Sequence, residues 1–201
     1  MFSNSSNNKA GRPVSIDIKE ITKKCLDFYV LNGIDNQSFN NVIKHAGVSK
    51  GSVYRLYGSE DALQKAALIE YFNTFVKERM VSHYKNQANL KNIIMDVTSG
   101  LISNRYRCCL YHRSRMEKYK LGKETKKYIS QIDREVEKNF KLIVERDFFS
   151  KNKKLSKVEV TELARYVING ITTINLMKLN NNSHKSILSY ANILLKTLKK
   201  I

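Results

Sequence analysis

The stretch from Ser38 to Leu63, SFNNVIKHAGVSKGSVYRLYGSEDAL, gathers more groups suited to recognition chemistry than any other part of the 201-residue chain. Two short apolar-periodic runs flank Ala46-Gly-Val-Ser49. Two helices at that spacing form a helix-turn-helix, whose second helix enters a DNA major groove. Steps of about 100° per residue put Val53, Leu56 and Tyr57 on one side of that helix and Gly51 and Arg55 on the other. Ser52 and Tyr54 flank the outward face. With no side chain at Gly51 the backbone can approach a duplex closely, and Arg55 offers a forked donor for guanine or phosphate. Ser52 and Tyr54 add hydroxyls, and Lys50 a point charge. Lys44 and His45 lie on the first of the two helices, as solvated surface or as further contacts. Arg12, between Gly11 and Pro13, suits a narrow minor groove or an arm with no role.

A second constellation, Cys109-Leu-Tyr-His112, carries less. As a metal site it lacks a second Cys/His pair, and as a Cys–His nucleophile it lacks an orienting acid and an oxyanion loop. Cys108 and Cys109 beside cations would suit redox sensing if those cations lowered a thiol pKa. The surrounding segment, Arg105–Lys127, holds nine basic and two acidic residues. It reads as a solvated loop or as an attractor for an anionic effector or DNA. No glycine-rich phosphate loop or paired-carboxylate motif occurs, so neither an enzyme nor a cofactor or metal is expected.

The elements that position these groups are helical. One proline and eight glycines in 201 residues leave long unbroken runs, which suit an all-α fold. Residues 1–14 read as a flexible arm. A first helix follows from a Ser15 cap, with Ile18, Ile21, Cys25, Leu26 and Tyr29 on one face and a stop at Asn32-Gly33. Ser38, Ser49 and Ser59 are caps for the next three. The fourth helix is expected to run to about Asn86 under two apolar stripes, Leu63-Ala67-Tyr71-Phe75 and Leu68-Phe72-Val76-Met80, so it needs cover on more than one side. Further helices are expected at about 90–103, 124–149, 156–179 and 184–200. The division is thus a helix-turn-helix domain over 15–60 and a helical domain over 61–201. Lys and Arg outnumber Asp and Glu by 36 to 18, which permits a polyanionic partner. The charge does not single out the reading segment: residues 1–60 carry a net +3 and the remainder +15. The polar start, the lack of a long apolar span and three unspaced cysteines lead us to expect a reduced, cytoplasmic chain with no membrane partner.

Residues 15–72 resemble the N-terminal domain of the TetR family of bacterial transcriptional regulators. The family's A-G-V-S-x-G-(S/T)-(hydrophobic)-Y-x-x-(F/Y) pattern stands here as Ala46-Gly-Val-Ser-Lys-Gly-Ser-Val-Tyr-Arg-Leu-Tyr57. Phe28-Tyr-Val-Leu-Asn-Gly33 is similar to its first-helix end, and Asp61-Ala-Leu63 to its fourth-helix start. Farther on, the likeness is confined to the all-α layout, Cys109-Leu110 and an Ala164…Gly170-Ile171 helix. The resemblance implies DNA contacts by Ser38, Ser49, Lys50, Gly51, Ser52, Tyr54 and Arg55. It also implies a C-terminal domain that dimerises and encloses a small-molecule effector. Glu60 departs from the family, which commonly has a phosphate-binding lysine there. Either Ser59 and the helix-start amides hold the phosphate instead, the reading we favour, or affinity is lower than is usual in the family.

The expected regulator is therefore a homodimer on a palindromic double-stranded operator, most simply a repressor. Its dimer surface would lie on the last two long helices, whose apolar faces (Val160, Leu163, Val167, Ile171, Ile174, Ile193, Leu194, Leu198) suit an isologous two-fold contact, with ordinary intramolecular packing as the alternative. Tyr71, Phe75, Met95, Thr98, Tyr111, His112 and Met177 are the candidate effector-pocket residues. Two rivals stay open at this point: a DNA-organising protein without an effector, and a helical adaptor for proteins or anionic lipid.

Overall fold

A computed structural model describes residues 17–35, 37–100 and 108–201, all of whose regular elements are helical. Arg12, Ser15, the N-terminal arm, Arg105, Arg107 and the end expected for the fifth helix lie outside those residues. The order is α1 (Ile18–Asn32), α2 (Phe39–Ala46), α3 (Lys50–Tyr57) and α4 (Glu60–Tyr71), then a π-helical segment (Phe72–Lys77) that runs directly into α5 (Glu78–Lys85). After these come α6 (Leu90–Ser99), α7 (Leu110–Met116), a 3-10 turn (Lys118–Lys120), α8 (Lys123–Phe149), α9 (Lys157–Leu179) and α10 (His184–Lys200).

The caps explain most of these boundaries. Ser38, Ser49 and Ser59 each accept the backbone N–H three residues on, so α2, α3 and α4 begin where the hydroxyls dictate. Gly47 ends α2 in the left-handed region, with φ +69°. Ser156 and Glu159 close a capping box at the start of α9. The cap of α1 is Asp17, whose carboxylate accepts from the Lys19 amide. Asp17 stands directly before the first apolar-periodic residue, Ile18.

α4 is the central strut. It packs on α1 and α3 along one flank and on α7 and α8 along another. Leu63, Ala67, Leu68 and Tyr71 are accordingly all buried. Beyond Tyr71 the two stripes part company: Phe72 stays buried while Phe75 is 42% exposed. The π-helical turn widens the helix there, and α4 leaves its neighbours. α8 packs on α9, and α10 on α9 and α6.

The apolar faces of α9 and α10 are not surplus. Val160, Leu163, Val167, Ile171, Ile174, Leu194 and Leu198 are all buried within one protomer, and of the expected eight only Ile193 is exposed. Gly170 lets this happen, because a Cβ there would collide with Leu194. Hydrophobic periodicity identifies an apolar face but not its cover, and here the cover is intramolecular.

One polar joint ties the N-terminal helices to the rest. Asp61, in the first turn of α4, accepts from the backbone N–H groups of Glu124 (2.8 Å) and Thr125 (3.1 Å) and from the Thr125 hydroxyl (2.6 Å). It thereby caps α8, whose own cap position is Gly122; a Cβ there would overlap the Asp61 carboxylate. Burial pushes the Asp61 carboxyl up, but these donors outweigh it and hold it below its ordinary value of 3.8. Its stabilisation is therefore present at neutral pH and lost as the pH falls through that depressed range. We expect Asp61→Ala to lose about 1–3 kcal/mol in urea unfolding at pH 7. The gap from the wild type should narrow toward about pH 3. An equal gap at both pH values would show that the carboxylate is not the stabilising group.

Candidate nucleic-acid interface and ligand cavity

The reading face is built by α2 and α3. Val53 is wholly buried and Leu56 and Tyr57 pack on the core. Tyr57 keeps its hydroxyl at the rim, 2.9 Å from Thr22 Oγ1 and 3.1 Å from the Ile18 carbonyl that accepts from it. With that side held inward, Lys50, Gly51, Tyr54 and Arg55 face outward and Ser52 lies at the edge. Ser38 and Ser49 are exposed at the starts of α2 and α3. The structure thus places all seven expected DNA-contact residues at the starts of α2 and α3 and on the outward side of α3.

Order within this face comes from small contacts. Tyr54 meets Phe39 edge-on at 5.9 Å, and the Lys50 ammonium lies 5.8 Å from the Tyr54 ring. Ser49 and Ser52 hydroxyls sit 2.9 Å apart. Neither Lys50 nor Arg55 forms an ion pair with a described residue, in contrast to Arg113, Arg115, Lys118 and Lys120, which are all paired with carboxylates. The basic 105–127 segment therefore spends its described cations internally except at exposed positions of α8. Around α4's start, the Ser59 hydroxyl accepts from the Ala62 amide, which leaves its own proton to donate. Burial raises the Glu60 carboxyl and Lys50 pulls it partly back. His45 is exposed with its ring 4.9 Å from Phe28.

A cavity of about 740 Å³ lies between the π-helical segment, α5, α6, α7, α8 and α9. Of the seven expected lining residues, Tyr71, Phe75, Tyr111 and His112 are in its wall. Met95, Thr98 and Met177 are not. Thr98 is buried with its hydroxyl donating to the Ile94 carbonyl, Met177 is half-buried against the core, and Met95 lies on a half-exposed face of α6. All three sit on cavity-forming helices but on faces turned elsewhere. The wall also contains polar groups that sequence reasoning missed: Arg79, His83, Asp96, Asn175 and Lys178. An asparagine interrupting the apolar run of α9 was the only visible signal among them. Asn175 accepts from the Cys109 amide at 3.1 Å and donates to the Ile171 carbonyl.

The cysteines do not have the environment a reactive thiolate needs. Burial pushes Cys108 up to about 12 and raises Cys109 too, and nearby cations fail to reverse either shift. Among the described residues no group of three or more His, Cys, Asp or Glu side chains could hold a metal ion. No described helix is long and apolar enough to cross a membrane.

No protein-family model matches the chain, and no curated protein matches it. Solved structures do. A cysteine-substituted TetR family transcriptional regulator, CifR, complexed with 26-base-pair double-strand operator DNA, superposes with a TM-score of 0.71 at 15% identity, covering 92% of this chain and 98% of its own. A TetR-family regulator from Cytophaga hutchinsonii gives 0.74 at 14% identity, covering 91% and 93%. E. coli NemR in its reduced form gives 0.70 at 16% identity, covering 88% and 94%. At such identities the likeness speaks for architecture, and it extends over nearly the whole chain, well beyond the helix-turn-helix that the sequence motif covers. The protein has the all-α fold of the TetR-family transcriptional regulators.

Proposed function

We propose that the chain is a TetR-type transcriptional regulator that binds a palindromic operator as a homodimer and is released by a small molecule held in the cavity. The observation that carries this reading is the outward face of α3. Two cations without ion-pair partners among the described residues, a tyrosine held edge-on and a glycine gap stand together on a fold that CifR uses in a complex with operator DNA. In this reading Arg55 and Ser52 read base edges, while Lys50, Tyr54, Ser38, Ser49 and the Gly51 backbone set register on phosphates. The Ser59 hydroxyl and the first amides of α4 take the phosphate that a lysine at position 60 would otherwise hold.

The dimer surface has to be rebuilt from the exposed residues. Tyr166, Asn169 and Thr173 on α9 and Asn192, Ile193 and Lys196 on α10 form the outer face of that pair, and we assign the two-fold contact to it. Two reading helices about 34 Å apart then meet successive major grooves. Effector binding would shift the population toward a dimer with a different separation, and operator DNA must weaken effector binding by the same factor. The chain acts in the cytoplasm, without catalysis, and most simply as a repressor.

Selection of duplexes from a random library tests this. A palindrome should emerge, bound roughly 10³-fold or more above random DNA at physiological salt. Arg55→Ala should cost about 1–3 kcal/mol on that palindrome and relax one base position per half-site. A DNA organiser would enrich nothing, and a protein- or lipid-binding adaptor would bind no duplex at all.

A further inference from the structure

The cavity wall states what kind of molecule it accepts. Its body is apolar, with Phe75, Met80, Ile93, Phe140, Ile168 and Ile171. Its polar groups are mostly engaged within the wall. Arg79 Nε lies 3.4 Å and His83 Nε2 3.3 Å from the same Asp96 oxygen, and Lys178 donates to the carbonyls of Val97 and Gly100. Burial, ahead of the opposing pull of Asp96, holds His83 below its ordinary range, so it adds no charge at neutral pH. An anionic ligand would bring its charge into a wall that already holds the Glu78 and Asp96 carboxylates.

His112 is different. The residue is 9% exposed and lines the cavity, with Nδ1 2.9 Å from the Thr172 hydroxyl oxygen. That hydroxyl is also 2.9 Å from the Ile168 carbonyl and accepts from Arg115 at 2.9 Å. Thr172 has one proton to give, and a carbonyl can only accept. Sending the proton to the imidazole would leave two oxygens at hydrogen-bond distance with nothing between them. The proton therefore goes to Ile168, and His112 Nδ1 must be the donor to Thr172. Nε2 is left as a lone pair with no described hydrogen-bond partner. Burial first, then the Arg115 charge, lowers the imidazole to about 3, so it stays neutral under any physiological condition.

We infer that the cavity is specific for an uncharged, mainly apolar molecule bearing a hydroxyl or N–H that donates to His112 Nε2. This rests on the effector-cavity reading above and adds to it the ligand's charge and the side of the hydrogen bond it must supply. An acceptor fixed in one tautomer at the cavity wall disfavours a ligand that covers it without supplying a donor, because the lone pair then stays unpaired.

Three probes of nearly equal shape separate the ideas on the full-length protein: 4-phenylphenol, 4-methoxybiphenyl and biphenyl-4-carboxylate. Calorimetry at pH 7 should show the phenol binding about tenfold or more tighter than either relative. In His112→Phe the phenol and the ether should bind alike. Nitrogen-15 NMR of the wild type guards against a misfolded variant: His112 should show a protonated Nδ1 and a bare Nε2, with Nε2 shifting on addition of the phenol alone. Tighter binding of the carboxylate, a phenol preference that survives His112→Phe, or a protonated Nε2 would overturn the donor assignment while leaving the cavity reading intact. Failure of all three probes to bind the wild type would overturn both.

Discussion

An alanine at position 33 is expected to cost about 3 kcal/mol or more of folding stability, by two mechanisms that act at the same atom. Gly33 closes α1 with φ +84° and ψ +163°, a region that side-chain-bearing residues essentially never occupy. A Cβ there would also overlap the Arg113 guanidinium. Arg113 cannot step aside cheaply. It is buried, and its Nε donates to Glu117 at 3.1 Å. Glu117 in turn faces Asp35, whose side chain is 1% exposed and bridged to Lys120 at 3.0 Å. Burial, with Asp35 adding to it, pushes the Glu117 carboxyl up to about 7. Moving Arg113 would take away the cation that partly offsets both effects. For a chain of this size about 3 kcal/mol corresponds to a fall in Tm of roughly 6–12 °C. A double-variant cycle separates the mechanisms: Arg113→Ala removes the collision but not the backbone penalty, so Gly33→Ala with Arg113→Ala should lose less than the sum of the single changes. A loss below about 1 kcal/mol for Gly33→Ala would mean the junction is neither strained nor tightly packed.

That junction also shows where sequence reasoning stops. The helices themselves were legible because their signals are local. Ser38, Gly47, Ser49 and Ser59 cap what they were expected to cap, α8 and α9 begin within a residue of expectation, and α10 has the expected bounds. The angular reading of α3 held for the same reason, since one buried Val53 fixes which way Arg55 points. What the sequence left unread is contact across distance. Nothing near Asp61 indicates that its carboxylate caps a helix starting 62 residues later, or that Gly33 exists to admit Arg113. The apolar stripe of α9 reads the same whether neighbouring helices or a partner protomer cover it, and only the packing of α8 and α10 on it shows the cover to be intramolecular. Most of the cavity wall was missed for the same cause: His83, Asp96 and Lys178 are ordinary surface residues by type until three helices converge on them.

The second large effect should appear in DNA binding with folding left unharmed. A Cβ built at Gly51 meets nothing nearer than the Ser49 hydroxyl at 3.9 Å, and the position is exposed. Exchanging glycine for alanine inside a helix gains about 0.5–1 kcal/mol. A glutamate at the second residue of α3 adds a favourable interaction with the helix dipole. Stability should therefore hold or rise from the wild type through Gly51→Ala to Gly51→Glu. Affinity for the selected palindrome should run the other way. A methyl group lifts the backbone off the duplex, and a carboxylate adds bulk and repulsion among phosphates, so Gly51→Glu should lose about 100-fold or more, roughly 2.7 kcal/mol. Opposite orders in the two measurements cannot arise from damaged folding. Lys138→Glu, on an exposed turn of α8, supplies the electrostatic control, because it removes two units of net charge far along the chain from the reading face. A regulator that seats α3 in a groove should lose little through it, whereas a protein held to DNA by overall charge should suffer more from Lys138→Glu than from Gly51→Ala. Unchanged palindrome affinity in Gly51→Glu would remove α3 from the interface altogether.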